Sequence, residues 1–344
     1  MMWLSILVPV YNVQSYLEEC LNSVITQWPP EGGVQVLVLD DCSTDGSWAL
    51  MQQLSARWPG RLQLLRHQHN AGLSAARNTM IDAATGDYLW FLDSDDKLLP
   101  GAIAHLHGIV RQHAPDVVLC DFQVWRERVQ LKHRLRGEAH KRSFDGPADG
   151  LVRQRSQLLT GMLMMGQLHA WSKISRRALW AGTDSAAALR FPVGRYFEDM
   201  ATMPLLALRA DSFFYAPQPW VAYRQRASSI LATMNTAKAL DLSAALLGLA
   251  HALHTAPQLA QQPALRFALA HQAARSLMGA MRYICQSGAG AAGPVPSVLA
   301  EQLRHNFRAA SPLSPEALAS AYLRRGWWLR RRKFLRWFQA TPTP

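Results

Sequence analysis

Apolar residues in the first third of the chain occur in short runs, separated by stretches in which they recur every three or four positions. The runs predict strands at 4–10, 34–41, 61–67, 87–96 and 116–125. The stretches between them predict helices at 13–27, 43–58, 73–84 and 98–113, because this spacing places apolar side chains on one helix face. Such alternation is typical of an α/β fold with a mostly parallel sheet flanked by helices.

This alternation ends near Trp125. A polar, basic insertion over 125–143 predicts a hairpin or a loop, and helical spacing returns at 154–165. From about residue 236 the chain is rich in alanine and leucine and helical in pattern. We therefore expect two domains, an α/β domain over 1–230 and a helical C-terminal region over 231–344.

Composition narrows the class of protein. Of the 344 residues, 49% are hydrophobic and 17% are charged, which indicates a folded globular chain. The four cysteines show no paired spacing typical of a metal site or a disulfide framework, which favours reduced thiols. The apolar run at the N-terminus is too short to span a membrane or to act as a signal peptide. We expect a cytoplasmic protein.

Acidic residues follow two of the predicted strands. Asp40-Asp41 ends the second strand, and Asp93, Asp95 and Asp96 end the fourth. Ligands of such sheets bind beyond the carboxyl ends of the strands, so both clusters are expected at one edge. Carboxylate oxygens there suit Mg²⁺ or Mn²⁺. Each cluster is alternatively a cap of the helix that follows, with Ser43 or Thr44 as a further N-cap candidate.

Two further charged positions have alternative interpretations. Arg77 lies on the third predicted helix, where an arginine is either solvated or a cation for a bound nucleotide. Glu198-Asp199 precedes an apolar run and is either a pair of first-turn acids or a general base in a cleft.

Five motifs in register carry a resemblance to a known family. They are VPVYN (8–12), LDDCSTDGS (39–47), NAGLSAARN (70–78), GDYLWFLDSDD (86–96) and FED (197–199). Their order and spacing are similar to those of the family 2 inverting glycosyltransferases of the GT-A fold. The resemblance is close over residues 3–125 and looser at HAWSKISRRALW, FEDMAT and YRQRASSI, as in many bacterial polysaccharide-building members.

The resemblance implies that the first three motifs form a nucleotide site. Pro9, Val10 and Tyr11 line the uracil pocket of a UDP-sugar, and Asp41 accepts a hydrogen bond from the base. Arg77 reaches toward the base or the phosphate. Cys42 stands where a glycine is more usual in the family.

The same resemblance assigns the second acidic cluster. Asp93 and Ser94 lie near the ribose, and Asp95 is the preferred ligand of Mn²⁺ or Mg²⁺, with Asp93 beside it. Asp96 is structural. The cation neutralises charge that develops on the leaving diphosphate.

The remaining assignments concern the acceptor side. By resemblance Asp199 is the base that takes the proton of the acceptor hydroxyl, with Glu198 as its orienter or alternative. Displacement by one base without a covalent intermediate inverts the anomeric centre. Trp171 and Lys173 shape the acceptor or phosphate side, unless they are a core tryptophan and a surface lysine.

A basic tail accounts for much of the net charge of +12, because residues 301–344 hold nine Lys or Arg against two glutamates. Leu323, Trp327, Phe334, Trp337 and Phe338 share one helical face, with Arg325, Arg332, Lys333 and Arg336 mostly opposite. This pattern predicts a helix that lies on an anionic membrane surface, at the inner face of the cell membrane. The alternative is a terminal helix docked on its own domain.

The sequence can be compared with three classes of function. We expect a metal-dependent glycosyltransferase that moves a sugar from a UDP-sugar to a saccharide or a lipid-linked glycan in cell-surface polysaccharide synthesis. A nucleotidyltransferase would need a glycine-rich basic loop after the first strand, where VPVYN stands instead. A non-catalytic binder of nucleic acid or anionic surfaces lacks a recognisable motif, so no nucleic-acid partner is expected.

Overall fold

Buried aliphatic runs form the first strands, as their pattern predicts: every residue from Leu4 to Val10 is buried. The structure is a computed structural model that describes residues 2–126, 131–183, 187–225, 234–286 and 296–340. The strands among these residues are β1 (Leu4–Val10), β2 (Val34–Asp40), β3 (Leu62–Arg66), β4 (Tyr88–Phe91), β5 (Lys97–Leu98), β6 (Val117–Trp125), β7 (Leu151–Val152), β8 (Lys173–Arg176) and β9 (Phe213–Arg224).

Helices follow most of the strands and make up the C-terminal region. They are α1 (Gln14–Ile25), α2 (Ser47–Arg57), α3 (Leu73–Ala83), α4 (Ala102–His113), α5 (Leu131–Leu135), α6 (Arg155–Met165), α7 (Glu198–Arg209), α8 (Thr236–Ala244), α9 (Leu247–His254), α10 (Pro257–Ala260), α11 (Pro263–Gln286), α12 (Pro296–Ala310), α13 (Pro315–Arg324) and α14 (Trp328–Gln339). Short 3₁₀ turns lie at Ala170–Ser172 and Arg177–Trp180.

The strands form one sheet in the order β3-β2-β1-β4-β8-β6-β9-β5, with β7 paired to β9. The block β3-β2-β1-β4 is parallel, and Val10 at the end of β1 pairs with Asp40 at the end of β2. β8 is antiparallel to both of its neighbours, whereas β6 and β9 are parallel. The predicted fold class, a mostly parallel sheet flanked by helices and followed by a helical region, is confirmed.

The core lies where α1, α2 and α4 pack on the sheet. It contains the alternate residues Ile6, Val8 and Val10 of β1 and the fully buried Trp90 of β4. Trp90 donates its indole N–H to the carbonyl of Trp171, 2.9 Å away, so the ring is buried without an unpaired donor. This contact joins β4 to the segment before β8.

The chain packs as two compact units. The first comprises Met1–Arg155, Gln167–Gly194 and Leu206–Arg226, and the second comprises Ser156–Gly166, Arg195–Leu205 and Ala227–Pro344. The second unit therefore contains two segments that precede residue 230 in sequence. The domain boundary at 230 stays a prediction.

Three local features differ from the predicted pattern. The helix predicted over 98–113 starts later than expected: β5 overlaps its first residue, Leu98, and α4 begins only at Ala102. A two-residue strand has too few positions for a period-two pattern, so it gives no sequence signal. The basic insertion holds the short helix α5, and its residues 127–130 lie outside the described part of the chain. In the described ranges, no helix combines the length and hydropathy needed to cross a bilayer.

Candidate active site

The first, second and fourth motifs meet at one edge of the sheet. β1 lies between β2 and β4, and all three strands are parallel, so their carboxyl ends point the same way. The Asp41 N–H donates to the carbonyl of Val10 at 2.8 Å, and the Leu92 N–H donates to that of Leu7 at 2.9 Å. The prediction that both acidic clusters lie at one sheet edge is confirmed.

Asp41 organises the loop before α3. Its buried carboxylate accepts hydrogen bonds from the backbone N–H groups of Ala71 at 2.9 Å and Gly72 at 2.8 Å. His67 Nδ1 lies 2.6 Å from Asp41 Oδ1. A carboxylate has about four lone-pair positions, so these contacts leave little capacity for a nucleotide base. The predicted base contact of Asp41 stays a prediction, and sequence reasoning missed His67.

Asp40 is fully buried and holds the loop after β2. Its carboxylate accepts from the Ser43 N–H at 3.1 Å and from Arg66 Nε at 3.0 Å. The helix-cap alternative is wrong for this region, because α2 begins at Ser47 with Gly46 as its N-cap and no side-chain cap. The Ser43 and Thr44 cap candidates are wrong for the same reason.

Two residues with left-handed backbones shape the loops that end β1 and β2. Asn12 has φ 52° and Cys42 has φ 59°. Asn12 Oδ1 accepts from the backbone N–H groups of Thr44 at 2.8 Å and Asp45 at 3.3 Å, which ties the two loops together. The positive φ of Cys42 explains why a glycine suits this position in the family.

The predicted uracil-pocket residues differ in exposure. Pro9 is the penultimate residue of β1, Val10 is 1% exposed and Tyr11 is 46% exposed. The ring of Tyr11 is therefore accessible at the edge where Asp41 and Asp93 also lie.

Arg77 is a buried partner of Asp93. The residue is 1% exposed, and its Nη2 donates to Asp93 Oδ1 at 3.0 Å. The guanidinium lies 5.1 Å from the ring of Phe191 and 5.8 Å from that of Phe91. The solvated-arginine alternative is wrong. The Arg77 guanidinium therefore contacts the Asp93 carboxylate from the buried side of the acidic cluster.

The acidic cluster forms a turn. The Asp96 N–H donates to the Asp93 carbonyl at 2.9 Å, and β5 follows directly. Asp93 and Asp95 are half-buried, whereas Ser94 and Asp96 are buried. The turn does not cap α4, whose N-cap is Gly101. The helix-cap alternative is therefore wrong here too.

Cys20 reports the negative potential of this turn. Burial raises the pKa of the Cys20 thiol well above its usual range, and the charges of Asp96, Asp95 and Asp93 raise it further. Cys20 Sγ lies 3.7 Å from the Asp93 carbonyl oxygen. The three carboxylates therefore act together on the same small region.

The donor set fits a hard divalent cation that brings further ligands with it. Within the described ranges, no group of three or more His, Cys, Asp or Glu side chains forms a complete metal site. Mg²⁺-type ions commonly take one or two protein carboxylates and complete their shell with substrate phosphates and water. The half-buried Asp93 and Asp95 suit that mode.

Glu198 and Asp199 form the first turn of α7 in the second unit. Glu198 is buried and Asp199 is half-buried, and the preceding Phe197 has φ 57°. The positive end of the helix dipole favours both carboxylates there. Their first-turn position agrees with the simpler interpretation, and the role of Asp199 as a base stays a prediction.

Trp171 and Lys173 are both buried, so Lys173 is not a surface lysine. Lys173 Nζ donates to the carbonyls of Gln167 at 2.7 Å and His169 at 2.9 Å, and to Ser172 Oγ at 2.8 Å. Trp171 belongs to the core. These contacts give Lys173 the geometry of a brace for the segment before β8.

Sequence reasoning missed His169, whose carbonyl accepts from Lys173 Nζ. Its ring stacks on Trp171 at 4.6 Å with an angle of 7°. Burial and the charge of Lys173 lower the pKa of His169 to about 3, so the ring is neutral. The spacing His-x-Trp-x-Lys was the available signal, since it places an imidazole, an indole and an ammonium group at the start of one short strand.

The comparisons with known proteins agree with this geometry. The family description "Glycosyl transferase family 2" matches residues 5–165. Glycosyltransferase GlyA of Streptococcus pneumoniae is 28% identical over 229 residues, which are 66% of this chain and 31% of GlyA. The poly(ribitol-phosphate) beta-glucosyltransferase of Bacillus spizizenii is 31% identical over 118 residues, which are 34% of this chain and 19% of that protein. The chain thus spans about a third or less of the length of these relatives.

Solved structures show the same fold. The crystal structure of S. aureus TarS 1-349 has a TM-score of 0.67 at 19% identity and covers 98% of this chain and 89% of that one. Its complex with UDP-GlcNAc has a TM-score of 0.55 at 19% identity, covering 94% and 92%. The mannosyltransferase PcManGT from Pyrobaculum calidifontis, in complex with GDP-Man and Mn²⁺, has a TM-score of 0.50 at 18% identity, covering 97% and 85%.

The curated relatives that match are named as glycosyltransferases, and the solved structures share the fold of this chain. Residues 5–165 are similar to glycosyl transferase family 2, and the chain has the GT-A fold.

Proposed function

We propose that the chain is a metal-dependent, inverting glycosyltransferase that uses a UDP-sugar and acts in the synthesis of a cell-surface polysaccharide. One observation carries the proposal: Tyr11, Asp41, Asp93 and Asp95 lie at the carboxyl edge of three adjacent parallel strands. Ligands of open α/β sheets bind at that edge. The complex of TarS with UDP-GlcNAc supports UDP as the nucleotide.

The nucleotide is held by the ends of β1 and β2. Pro9, Val10 and the exposed ring of Tyr11 form one wall for the uracil, and Asp41 fixes the loop opposite. Asp93 and Ser94 lie toward the ribose. Arg77 acts through Asp93, whose carboxylate it orients from the buried side.

Asp95 and Asp93 would hold Mn²⁺ or Mg²⁺ together with the diphosphate, in agreement with the Mn²⁺ in the complex of PcManGT. When bound, the cation supplies charge neutralisation for the diphosphate leaving group. The protein's own contribution is to keep two mutually repelling carboxylates in a fixed turn.

Asp199 takes the proton of the acceptor hydroxyl, and Glu198 orients it. The acceptor is a saccharide or a lipid-linked glycan. Trp171 and Lys173 support its side of the site by fixing His169 and the segment before β8.

An anionic membrane surface is the proposed partner of the C-terminal segment, although not through the apolar face of the tail. Phe334 is fully buried and packs on Phe307 and Tyr322, so this part of the docked-helix alternative agrees with the structure. The exposed apolar side chains there are Leu323 at 47%, Trp328 at 69% and Leu329 at 84%, of which only Leu323 belongs to that face. Neighbouring arginines would meet acidic headgroups.

The test is metal-dependent binding of UDP to the full chain. UDP is expected to raise the melting temperature when Mn²⁺ or Mg²⁺ is present. At a UDP concentration of about a hundred times Kd, the free energy of unfolding should rise by about 2.7 kcal/mol. EDTA or Asp95→Ala removes this stabilisation, because the diphosphate then meets uncompensated carboxylates. Asp199→Asn keeps it and loses sugar transfer.

Asp145→Ala is the matched control, since Asp145 is an exposed carboxylate outside the site. It is expected to respond to UDP as the unaltered chain does. Equal stabilisation by UDP in EDTA and in Asp95→Ala would overturn the metal assignment. Retained transfer in Asp199→Asn, measured with a panel of nucleotide sugars, would remove Asp199 from its role.

A further inference from the structure

Arg224, the last residue of β9, contacts the acidic turn from the far end of the sequence. Its backbone N–H donates to Asp96 Oδ1 at 2.7 Å, and its Nε donates to the Asp95 carbonyl at 2.9 Å. Its Nη2 donates to Glu19 Oε2 of α1 at 2.8 Å. One residue therefore ties the turn to a strand and to a helix.

The guanidinium of Arg224 is held in place by aromatic rings. It lies 3.6 Å from the ring centre of Trp125 and 4.7 Å from that of Tyr16, and its side chain is 11% exposed. Arginine stacks on aromatic faces while its N–H groups remain available in the plane of the guanidinium. The stacking and the two hydrogen bonds of the guanidinium therefore fix the same orientation.

Glu19 is an ionised anchor for this arrangement. Its Oε1 accepts from Lys97 Nζ at 2.7 Å, and Lys97 also lies 3.7 Å from the ring centre of Trp125. Although burial raises it, the pKa of Glu19 is lowered overall by hydrogen bonds from Lys97 and Arg224. Lys97 is the first residue of β5 and directly follows Asp96. Both partners of Glu19, Lys97 and Arg224, are therefore connected to the acidic turn.

We propose that Arg224 is a positioning residue that holds the Asp93–Asp96 turn in the geometry needed to bind a divalent cation with a nucleoside diphosphate. This inference rests on the proposed function, and it assigns Arg224 no contact with the substrate. Two like-charged carboxylates separate unless the backbone between them is fixed. Arg224 fixes that backbone through the Asp95 carbonyl and the Asp96 side chain.

The role requires the planar fork of arginine and not only a positive charge. A lysine at 224 keeps the charge but lacks the Nε–H and Nη2–H pair that reaches the Asp95 carbonyl and Glu19 together. The backbone N–H of residue 224 still reaches Asp96 in any variant. Substitutions at 224 therefore loosen the turn without removing β9.

The experiment measures the Mn²⁺ concentration at which half of the UDP-induced rise in melting temperature is reached. Arg224→Gln is expected to raise this midpoint at least about tenfold, and Arg224→Lys is expected to recover only part of the loss. Arg57→Gln is the matched control, because Arg57 pairs with Glu18, the neighbour of Glu19 on α1, and does not touch the turn. Its midpoint should equal that of the unaltered chain.

The outcomes separate this inference from the proposed function. Absence of metal-dependent UDP binding in the unaltered chain overturns the proposed function. If the unaltered chain binds and Arg224→Gln binds with the same midpoint, only the role of Arg224 is overturned. Full recovery in Arg224→Lys also overturns it, since charge alone would then suffice. Should Arg224→Gln fail to fold, Glu19→Ala removes the Nη2 acceptor and is expected to raise the midpoint in the same direction.

Discussion

His271 is a neutral histidine at the centre of the second unit. It is fully buried on α11, its Nε2 accepts from Arg330 Nη1 at 2.7 Å, and its Nδ1 lies 2.9 Å from the Tyr322 hydroxyl. An arginine cannot accept a hydrogen bond, so Nδ1 carries the proton. Burial and the charges of Arg330 and Arg275 lower the pKa of His271 to about 3.

This buried histidine makes stability depend on pH. Because its folded pKa lies below the unfolded value of about 6.5, the unfolded chain binds a proton first as the pH falls. Stability is therefore complete above about pH 6.5 and is lost toward pH 3, at up to about 1.4 kcal/mol per pH unit. His271→Gln should reduce this slope by about 1 kcal/mol per pH unit in urea unfolding between about pH 6 and pH 4.

The control for this prediction is His305→Gln, which removes an exposed histidine of α12 in the same unit. Its slope should match that of the unaltered chain. An unchanged slope in His271→Gln would show that His271 is not the neutral group.

The positions of individual residues at the sheet edge were predictable where a motif ends a strand. The burial of their side chains was not predictable. The positions of Asp41 and Asp93 at one sheet edge follow from strands that end in acids. A surface position was the alternative interpretation of both Arg77 and Lys173, because charged residues seldom lie in a core. Their burial depends on partners distant in sequence, Phe191 for Arg77 and the Gln167 carbonyl for Lys173, which no local pattern indicates.

At the scale of elements, Gly86 allows β1 and β4 to pair. A Cβ at this position would lie 2.5 Å from the backbone carbon of Leu4 and the nitrogen of Ser5. The Gly86 N–H also donates to Ser5 Oγ at 2.9 Å. Gly86→Ala is expected to lower the free energy of unfolding by about 2 kcal/mol, because a backbone cannot yield as a side chain does. Denaturant unfolding measures the change.

Gly108 is the matched glycine in an open position. It lies inside α4, and a Cβ there would meet nothing within 4 Å. Gly108→Ala should raise the free energy of unfolding by about 0.5 to 1 kcal/mol, since alanine is the better helix former. Changes of the same sign in both variants would contradict the assignment of Gly86 to a close contact.

Elements with a strong period were predicted, and those set by tertiary pairing were not. β1, β2 and β4 are continuous apolar runs, and α1 and α4 have the helical spacing, so each had a signal of its own. β5 has two residues, and β8 follows a 3₁₀ turn inside HAWSKISRRALW. Both exist because their partners, β9 for the first and β4 with β6 for the second, lie across the sheet.

At the scale of the whole molecule, the tail shows how an amphipathic pattern divides between packing and surface. Gly326, with φ 69°, ends the helical run that the pattern suggested, and α13 and α14 are separate helices. Phe334 then packs inward, and Arg330, which interrupts the apolar face, donates to His271. Trp328 and Leu329 remain outside. The pattern predicted the helices, and the break at Gly326 decided which side chains are exposed.

These exposed side chains make membrane contact testable on the full chain. The double variant Trp328→Ser with Leu329→Ser is expected to weaken binding to vesicles that contain acidic lipid by roughly tenfold or more, because burying such side chains contributes about 1.5 to 3 kcal/mol each. Vesicle sedimentation at low and high salt measures the effect, and binding should fall as salt rises. The melting temperature should not change, since neither side chain is packed.

Val298→Ser, which removes an apolar side chain that is 61% exposed on α12, is the control and should bind as the unaltered chain does. Equal binding by the double variant and the unaltered chain, or equal binding to neutral vesicles, would contradict the membrane contact and leave Trp328 and Leu329 as a surface for a different partner.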